Sequence, residues 1–246
     1  AFRQFDTGEG DDIYKITAAK IYHLPSPGDV DGDQRQVGKC IELACQFGGG
    51  LGAFGTMSKA FGVIVPESEA LDAIRTWREA HPKIAAMWRE LDNKARLCIR
   101  YGMDFDCGRV GFTMRNGHLY QTLPSGRELC YPEARVELAD TKFGQRPAIT
   151  FYGKNTYTNQ WGRCQTYGGG LFQSCVQGLA RDILYDALAR LDEAGHRVVM
   201  HVHDEIVVES DALPLPDLEA LMCVAPNWAE GLPLAAEGWE GERYRK

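Results

Sequence analysis

The eight cysteines of this sequence, Cys40, Cys45, Cys98, Cys107, Cys130, Cys164, Cys175 and Cys223, contain no C-x-x-C pair and follow no zinc-ligand spacing. A cysteine-based zinc module is thereby excluded. Several lie in apolar periodic runs, as Cys175 does between Phe172 and Leu179, where a free thiol behaves as a small hydrophobe. A reducing compartment is expected. No apolar run approaches the ~20 residues a bilayer span needs, and the N-terminus lacks the charged start and apolar core of a signal peptide. These absences imply a cytoplasmic protein with no membrane partner. An excess of positive charge is also lacking: 27 Lys+Arg against 34 Asp+Glu leave −7, so any anion binding must be local. Repeats and low-complexity segments are missing, and Gly-Lys-Cys around Lys39 does not follow the phosphate-loop order G-x-x-x-x-G-K-[ST]. The first residue is Ala1 rather than Met, and Ala1-Phe2-Arg3-Gln4-Phe5 reads like the middle of a helix.

What is present is ordinary for a folded chain: 246 residues, 44% hydrophobic and 25% charged, with 27 Gly and 11 Pro. Disorder, collagen and coiled coil are ruled out, and one large domain or two smaller ones fit the length. The spacing Ile13, Ile16, Ala19/Lys20 predicts a short amphipathic helix over Ile13–Tyr22, ended by Leu24-Pro25-Ser26-Pro27-Gly28. Asp31-Gly32-Asp33 offers N-cap chemistry for a second helix, from about Gln34 to Phe47, that Gly48-Gly49-Gly50 stops. The further glycines, Gly52 and Gly55, are read with these as helix termination and close packing. Helical periodicity returns at Ser68–Arg78 and Lys83–Ile99. From about Arg109 to Thr158 short alternating pieces and the turn signals Asn116-Gly117, Pro124-Ser125-Gly126 and Phe143-Gly144 predict strands and loops. Leu171–Ala194 reads as a long helix with Phe172, Cys175/Val176, Leu179, Ile183, Ala187/Leu188 and Leu191 inward and Gly195 as its stop. Two β-rich runs, Arg197–Val202 and Ile206–Glu209, then flank His203-Asp204-Glu205, and a Pro-rich stretch leads into a last helix.

Three patterns carry chemistry. Asp204 and Glu205 sit at a predicted hairpin tip approached by a buried-looking Val-Val-Met run, with His201 and His203 two apart and so on one strand face. A solvated turn is the default, but a rigid carboxylate at a strand end also suits Mg²⁺, which keeps waters and is completed by substrate phosphates. A two-metal site needs at least one further Asp from elsewhere. The rival is a Zn²⁺ hydrolase with His201 and His203 as ligands, although His23, His81, His118 and His196 show no ligand-like spacing. On the second helix Arg35, Lys39, Leu43 and Phe47 recur every four residues and share a stripe, on which a triphosphate can lie along the two cations while base or sugar packs on the apolar pair. A solvated face is the alternative. Gln173, Gln177 and Arg181 likewise recur every four residues on the long helix, and such groups can hydrogen-bond the minor-groove acceptors shared by all base pairs.

Together these segments resemble the C-terminal part of a family A, DNA polymerase I-like DNA polymerase, especially phage-type members. Val202-His203-Asp204-Glu205 is similar to the family's third motif, Arg35-x-x-x-Lys39-x-x-x-Leu43-x-x-x-Phe47-Gly48 to its fingers helix, and Gln177-Gly178-x-Ala180-Arg181-Asp182 to the helix before the third motif. Gly10-Asp11-Asp12-Ile13-Tyr14, Leu123-Pro124-Ser125-Gly126-Arg127 and Gly231-Leu232-Pro233-Leu234 fit the phage-type pattern too. The resemblance implies an α+β chain of right-hand polymerase architecture, with helical fingers in 1–125 and part of an antiparallel-sheet palm in 126–246. It implies template-directed nucleotidyl transfer from dNTP to a primer 3′-OH by two Mg²⁺ ions. On that basis Asp204 is a shared metal ligand and Glu205 a supporting carboxylate, while Arg35 and Lys39 grip the triphosphate and Lys39 protonates pyrophosphate. Tyr14, Leu43 and Phe47 complete the dNTP site, and His203, Gln177, Arg181 and Gln173 meet primer and template.

The sequence departs from the pattern at Leu43, where many members carry an aromatic residue, at Tyr14, where bacterial members have His, and at Gly170, where a basic residue is expected. The family's first motif, D-x-S-x-x-E, is missing. The expectation is therefore a fragment or one half of a split polymerase, requiring an N-terminal partner that carries the first-motif Asp and the thumb, in the cytoplasm of a phage-infected bacterial host. A catalytically inactive module that binds dNTP or primer–template is the alternative.

Overall fold

The computed structural model describes residues 10–141, 144–155 and 158–244. The helical reading of Ala1–Phe5, and Phe143 of the Phe143-Gly144 turn, lie outside the described residues. The chain is α+β with antiparallel sheets. Among the described residues five α-helices come first: α1 (Ile13–Ile21), α2 (Gly32–Cys45), α3 (Leu51–Phe61), α4 (Glu67–Ala80) and α5 (Pro82–Tyr101). A meander of β1 (Phe105–Cys107), β2 (Val110–Arg115), β3 (His118–Thr122) and β4 (Glu128–Tyr131) precedes a second one of β5 (Arg135–Thr141), β6 (Gly144–Lys154) and β7 (Trp161–Thr166). Then follow α6 (Gly168–Glu193), the hairpin β8 (Arg197–Val202) and β9 (Glu205–Glu209), and α7 (Leu215–Met222). Among the described residues no helix is long and apolar enough to cross a membrane. Contacts divide the chain into two compact units, one running up to Thr122 and including Glu128–Cys175, the other comprising Leu123–Arg127 and the chain from Val176 onward.

In the first unit the helices follow from local chemistry. Asp12 caps α1 by accepting from the Tyr14 N–H at 2.8 Å. Asp31 and Gln34 form a reciprocal capping box on α2, at 2.8 and 3.1 Å, a device that contributes about 1 kcal/mol. Helix α2 stops at Cys45, two residues before the expected end at Phe47, because Gly48 turns back with φ +77° and donates to the Cys45 carbonyl. Phe47 therefore lies beyond the helix rather than on its stripe. The glycine-rich stretch after it conceals a further helix, α3, whose Leu51, Phe54, Met57 and Phe61 follow helical spacing and pack into the core. Close packing holds for Gly49, where a Cβ would meet the Ala44 carbonyl oxygen at 2.1 Å, but not for Gly50, Gly52 or Gly55, which face open space.

The helical core gathers Cys40, Ile41, Ala44 and Cys45 of α2 with Phe54 of α3 and Ala70, Ala73, Ile74 and Trp77 of α4. Glu42 ties three helices across it, accepting from Thr17 Oγ1 of α1 at 2.5 Å and from Trp77 Nε1 of α4 at 2.8 Å. Helices α1 and α2 touch at Gly38, where any Cβ would lie 2.2 Å from the Tyr14 carbonyl oxygen. The start of α6 is equally tight: a Cβ on Gly168 or Gly169 would meet the Trp88 or Phe47 carbonyl oxygen at 1.8 or 2.0 Å. Gln121, fully buried, donates to the Leu171 carbonyl and accepts from Tyr131 Oη, so this buried polar side chain is satisfied at both ends. Burial pushes the Tyr131 hydroxyl up to about 12. In the four-stranded meander the Asn116-Gly117 turn has positive φ at both residues, as a tight hairpin requires.

In the second unit the buried apolar side chains of α6 are Leu184, Ala187 and Leu191, whereas Val176, expected inward, is exposed. The buried line on α6 runs through Leu171, Cys175, Leu184, Ala187 and Leu191, and Val176 falls one residue off it. The tail docks on α6 and α7: Trp228 Nε1 donates to Asp186 at 3.2 Å, the Gly238 N–H donates to Glu219 at 2.7 Å, and Arg190 donates to the Leu221 and Val224 carbonyls.

Two predictions follow from this packing. Gly38→Ala overpacks the α1–α2 crossing and is expected to cost about 1–3 kcal/mol, lowering Tm by about 2–4 °C per kcal/mol in calorimetry. Burial pushes the thiols of Cys98, Cys107 and Cys175 from 9.0 up to about 11 and that of Cys45 to about 12. Because the unfolded chain releases these protons first, stability is expected to be full below pH 9 and to fall as pH climbs toward 11, read as a lower urea midpoint at pH 10.5 than at pH 8.

Candidate active site

The first group of expected site residues stands at the α1–α2 crossing. Gly38 lies between Arg35 and Lys39, and by admitting the Tyr14 carbonyl it brings the Tyr14 ring beneath both cations. The Arg35 guanidinium carbon is 5.3 Å and Lys39 Nζ 5.9 Å from the ring centroid, within cation–π range. Lys39 Nζ also lies 4.4 Å from the Phe61 ring at the end of α3. Arg35 Nε pairs with Asp12 Oδ2 at 2.5 Å, so Asp12 both caps α1 and holds the arginine. The structure thus brings Tyr14, Arg35 and Lys39 together as two oriented cations on an aromatic base. Phe61 escaped the sequence reading because glycines masked α3; its signal was the helical spacing of Leu51, Phe54, Met57 and Phe61.

Leu43 lies two turns along α2 from Arg35, partly buried. Phe47, past the helix end, sets its ring 6.2 Å from Phe172 and accepts at its carbonyl from Tyr167 Oη at 3.0 Å. Gln173, on the exposed side of the first turns of α6, completes the expected residues of this unit.

The second group belongs to the β8–β9 hairpin and α6. Val202 pairs with Glu205, which leaves His203-Asp204 as a two-residue turn with His203 at φ +55°. His203 is therefore in the turn, and the alternation that was to place it on one strand face with His201 does not reach it. The approach also differs from expectation: Val199 and Met200 are 48% and 37% exposed, and the ladder is irregular between Val198 and Met200. A two-stranded ribbon buries only a little of each strand, and an apolar run alone does not reveal that.

At the tip the Asp204 carboxylate is exposed and makes no hydrogen bond or ion pair with a described residue. An exposed, unpartnered carboxylate is a hard oxygen donor of the kind Mg²⁺ takes, one or two at a time, beside water and phosphate oxygens. Its neighbour Glu205 accepts from Tyr244 Oη at 2.8 Å, an interaction that raises the tyrosine hydroxyl above its ordinary value. Nothing in the mixed-charge tail signalled Tyr244. Among the described residues no three His, Cys, Asp or Glu side chains cluster to hold a metal, so the ligand set of a zinc hydrolase is not assembled around His201 and His203. Asp204 fits one ligand position of a magnesium site and cannot fill the others.

Exposed Gln177 and Arg181 lie one turn apart on α6. Arg181 stacks over Tyr185, 4.8 Å from its centroid, and Tyr185 meets His201 edge-on at 5.8 Å, linking the helix to the hairpin. Tyr185 continues the four-residue stripe of Gln173, Gln177 and Arg181, a signal the sequence reading stopped short of. Asp182 fastens the loop Leu123–Arg127 to the same helix, accepting from Ser125 Oγ at 2.5 Å and Arg127 Nε at 2.6 Å, while Arg127 also donates to the Gly178 carbonyl. Asp182→Ala is expected to cost about 1–3 kcal/mol, the range for hydrogen bonds to charged groups. The check is a lower urea midpoint together with faster tryptic cleavage after the released Arg127.

No protein-family model matches the chain. Over 239 residues, 95% of its length, it is 38% identical to a DNA polymerase of Bacillus phage SP02, of which it covers 36%. It is 26% identical over 245 residues to DNA polymerase I of Streptococcus pneumoniae, covering 96% of this chain and 22% of that protein. The chain thus spans about a third or less of the length of these relatives. These similarities bear out the resemblance to DNA polymerases of the DNA polymerase I kind.

Proposed function

We propose that this chain is the nucleotide-gripping and carboxylate-bearing part of a template-directed DNA polymerase, with fingers in 1–125 and a portion of the palm in 126–246 of a right-hand architecture. The observation that carries the reading is the pair of cations, Arg35 and Lys39, held over the Tyr14 ring. The similarity to a phage DNA polymerase along nearly the whole chain gives it a reaction. Relatives of that kind act on a primer–template and dNTPs, which are the partners proposed here.

Arg35 supplies a fork of donors to triphosphate oxygens, pre-oriented by Asp12, and Lys39 a point charge. Lys39 hands a proton to the departing pyrophosphate. Tyr14 fixes both cations from below, Leu43 lines the sugar side, and Phe47 stands by the templating base. His203 lies at the primer terminus, and Gln177, Gln173 and Arg181 touch minor-groove acceptors of the nascent duplex, reading shape rather than sequence. Asp204 contributes one carboxylate to the metal site and Glu205, anchored by Tyr244, supports it. Mg²⁺ held there by Asp204 together with a ligand from another segment would supply charge to activate a primer 3′-OH and to offset the negative charge of the triphosphate. The remaining metal ligand comes from a segment carrying a D-x-S-x-x-E run, on the same polypeptide or on a partner that also supplies the thumb.

The second reading is a module that binds dNTP or primer–template without turnover; among the described residues Asp204 belongs to no cluster of three His, Cys, Asp or Glu that could hold a metal. Primer extension by the complete polymerase, this chain joined by the segment with the first-motif Asp, is expected to fall roughly 10³-fold in Asp204→Ala, equivalent to about 4 kcal/mol of lost charge stabilisation. Undiminished extension sinks the metal assignment. Nucleotide binding with no extension by the complete assembly identifies the inactive module instead.

A further inference from the structure

The three-stranded sheet β5–β7 has one face that the polymerase reading leaves without a role. Strand alternation and register place Arg135 and Glu137 of β5, Arg146, Thr150, Tyr152 and Lys154 of β6, and Trp161, Arg163 and Gln165 of β7 on this face. The opposite face holds Val136, buried Ile149 and Phe151, the last edge-on to Tyr131, with Leu138 exposed at its end, while on the first face Ala148 and Thr150 are buried and the exposed groups are the aromatic, charged and polar ones. Tyr152 and Trp161 stack on each other at 6.3 Å and 24°, yet remain 43% and 66% exposed. Aromatic rings of this size are normally buried where a fold can bury them, and a stacked pair left in solvent is a ready surface for a third ring.

The surroundings of that pair are cationic. Arg135, Arg146, Lys154 and Arg163 share the face with one carboxylate, Glu137, and with Glu133 at its rim, 3.7 Å from Arg135. This local excess stands out in a chain of net charge −7. Arg163 is braced by the Glu133 carbonyl, Glu137 and Thr150, so its guanidinium is a fixed part of the surface. Lys154, directly across from Trp161, makes no ion pair with a described residue. Rigid stacked aromatics beside Lys154, on a face where cations outnumber carboxylates, are complementary to a strand that offers bases and phosphates together.

We infer that the β5–β7 face is a binding platform for single-stranded nucleic acid, with bases stacking on Trp161 and Tyr152 and phosphates meeting Lys154, Arg135, Arg146 and Arg163. The platform needs unpaired bases, since a duplex presents no free ring faces along its length. It goes beyond the polymerase reading and stands or falls without it.

The test is the anisotropy of a fluorescent oligodeoxythymidylate titrated with the full chain, without dNTP or divalent metal. Trp161→Ala and Tyr152→Ala are each expected to weaken binding about tenfold. Trp161→Phe, which keeps a ring, restores most of the loss. Lys154→Ala lowers the slope of log affinity against log salt by about 0.7, one phosphate contact on a single strand. Arg75→Ala, a cation on α4 remote from this sheet in sequence, leaves binding as it was. Wild-type affinity in Trp161→Ala and Tyr152→Ala, with unchanged melting temperatures, overturns the inference, as does equal binding of heparin and oligonucleotide with no effect of the aromatic variants. A chain that binds through this face yet never extends a primer keeps the inference and loses the polymerase reading; extension with undiminished binding in Trp161→Ala does the reverse.

Discussion

The face proposed to grip the nucleotide depends on one close approach, that of Gly38 to the Tyr14 carbonyl. Glycine in mid-helix costs about 0.5–1 kcal/mol against alanine, and a helix carries that cost only where something else gains. Here the gain is distance: with no Cβ in the way, α1 and α2 touch backbone to backbone. The Tyr14 ring is then carried under the two cations that flank Gly38, Arg35 three residues before it and Lys39 one residue after it. Asp12, the N-cap of α1 two residues before Tyr14, reaches Arg35 by the same approach. Ion pairing and cation–π stacking between α1 and α2 at this corner are consequences of a single missing methyl group.

Carboxylates in this chain divide into those already committed and those left over. Glu42 is committed to Thr17 and Trp77, Asp12 to Arg35 and the α1 N-terminus, Asp182 to Ser125 and Arg127, and Asp186 to Trp228. Each links elements far apart in sequence, and each is satisfied by donors that removal would orphan. Asp204 differs. It sits at a hairpin tip, where turn geometry holds the backbone and leaves the carboxylate to whatever arrives from outside. Glu205 is intermediate, tied by a single tail hydroxyl. A carboxylate positioned by backbone and left without a described partner suits the metal-ligand role proposed for Asp204.

Periodicity in the sequence encodes most of the fold. The helices α1, α2, α4, α5 and α6 lie where apolar spacing and caps put them, because amphipathic helices write their core contacts at regular intervals. Helix α3 was hidden because glycine density reads as loop, and only its hydrophobic spacing reveals it. The hairpin was legible, but the exposure of Val199 and Met200 was not, since an apolar strand reads alike whether or not a second sheet covers it. At the site, Arg35 and Lys39 were marked by their four-residue spacing, whereas Tyr244 and Asp12 act across the fold, by contacts that no local pattern encodes. The stacked pair Tyr152 and Trp161 belongs to the same class: strand pairing, set by register over β6 and β7, is what brings the two rings together.

Net charge misleads for the same reason that local pattern succeeds. A value of −7 describes the far field of the chain, which is screened within about 10 Å at ordinary ionic strength. Phosphates in contact respond instead to the few groups within a Debye length, and those are unevenly arranged. Arg35 and Lys39 sit over one ring, and the β5–β7 face gathers four cations on three strands. Acidic residues elsewhere discourage nonspecific adhesion of a polyanion to the rest of the surface. An acidic chain with concentrated cationic faces therefore restricts where a nucleic acid or a nucleotide can settle, and geometry rather than total charge selects the place.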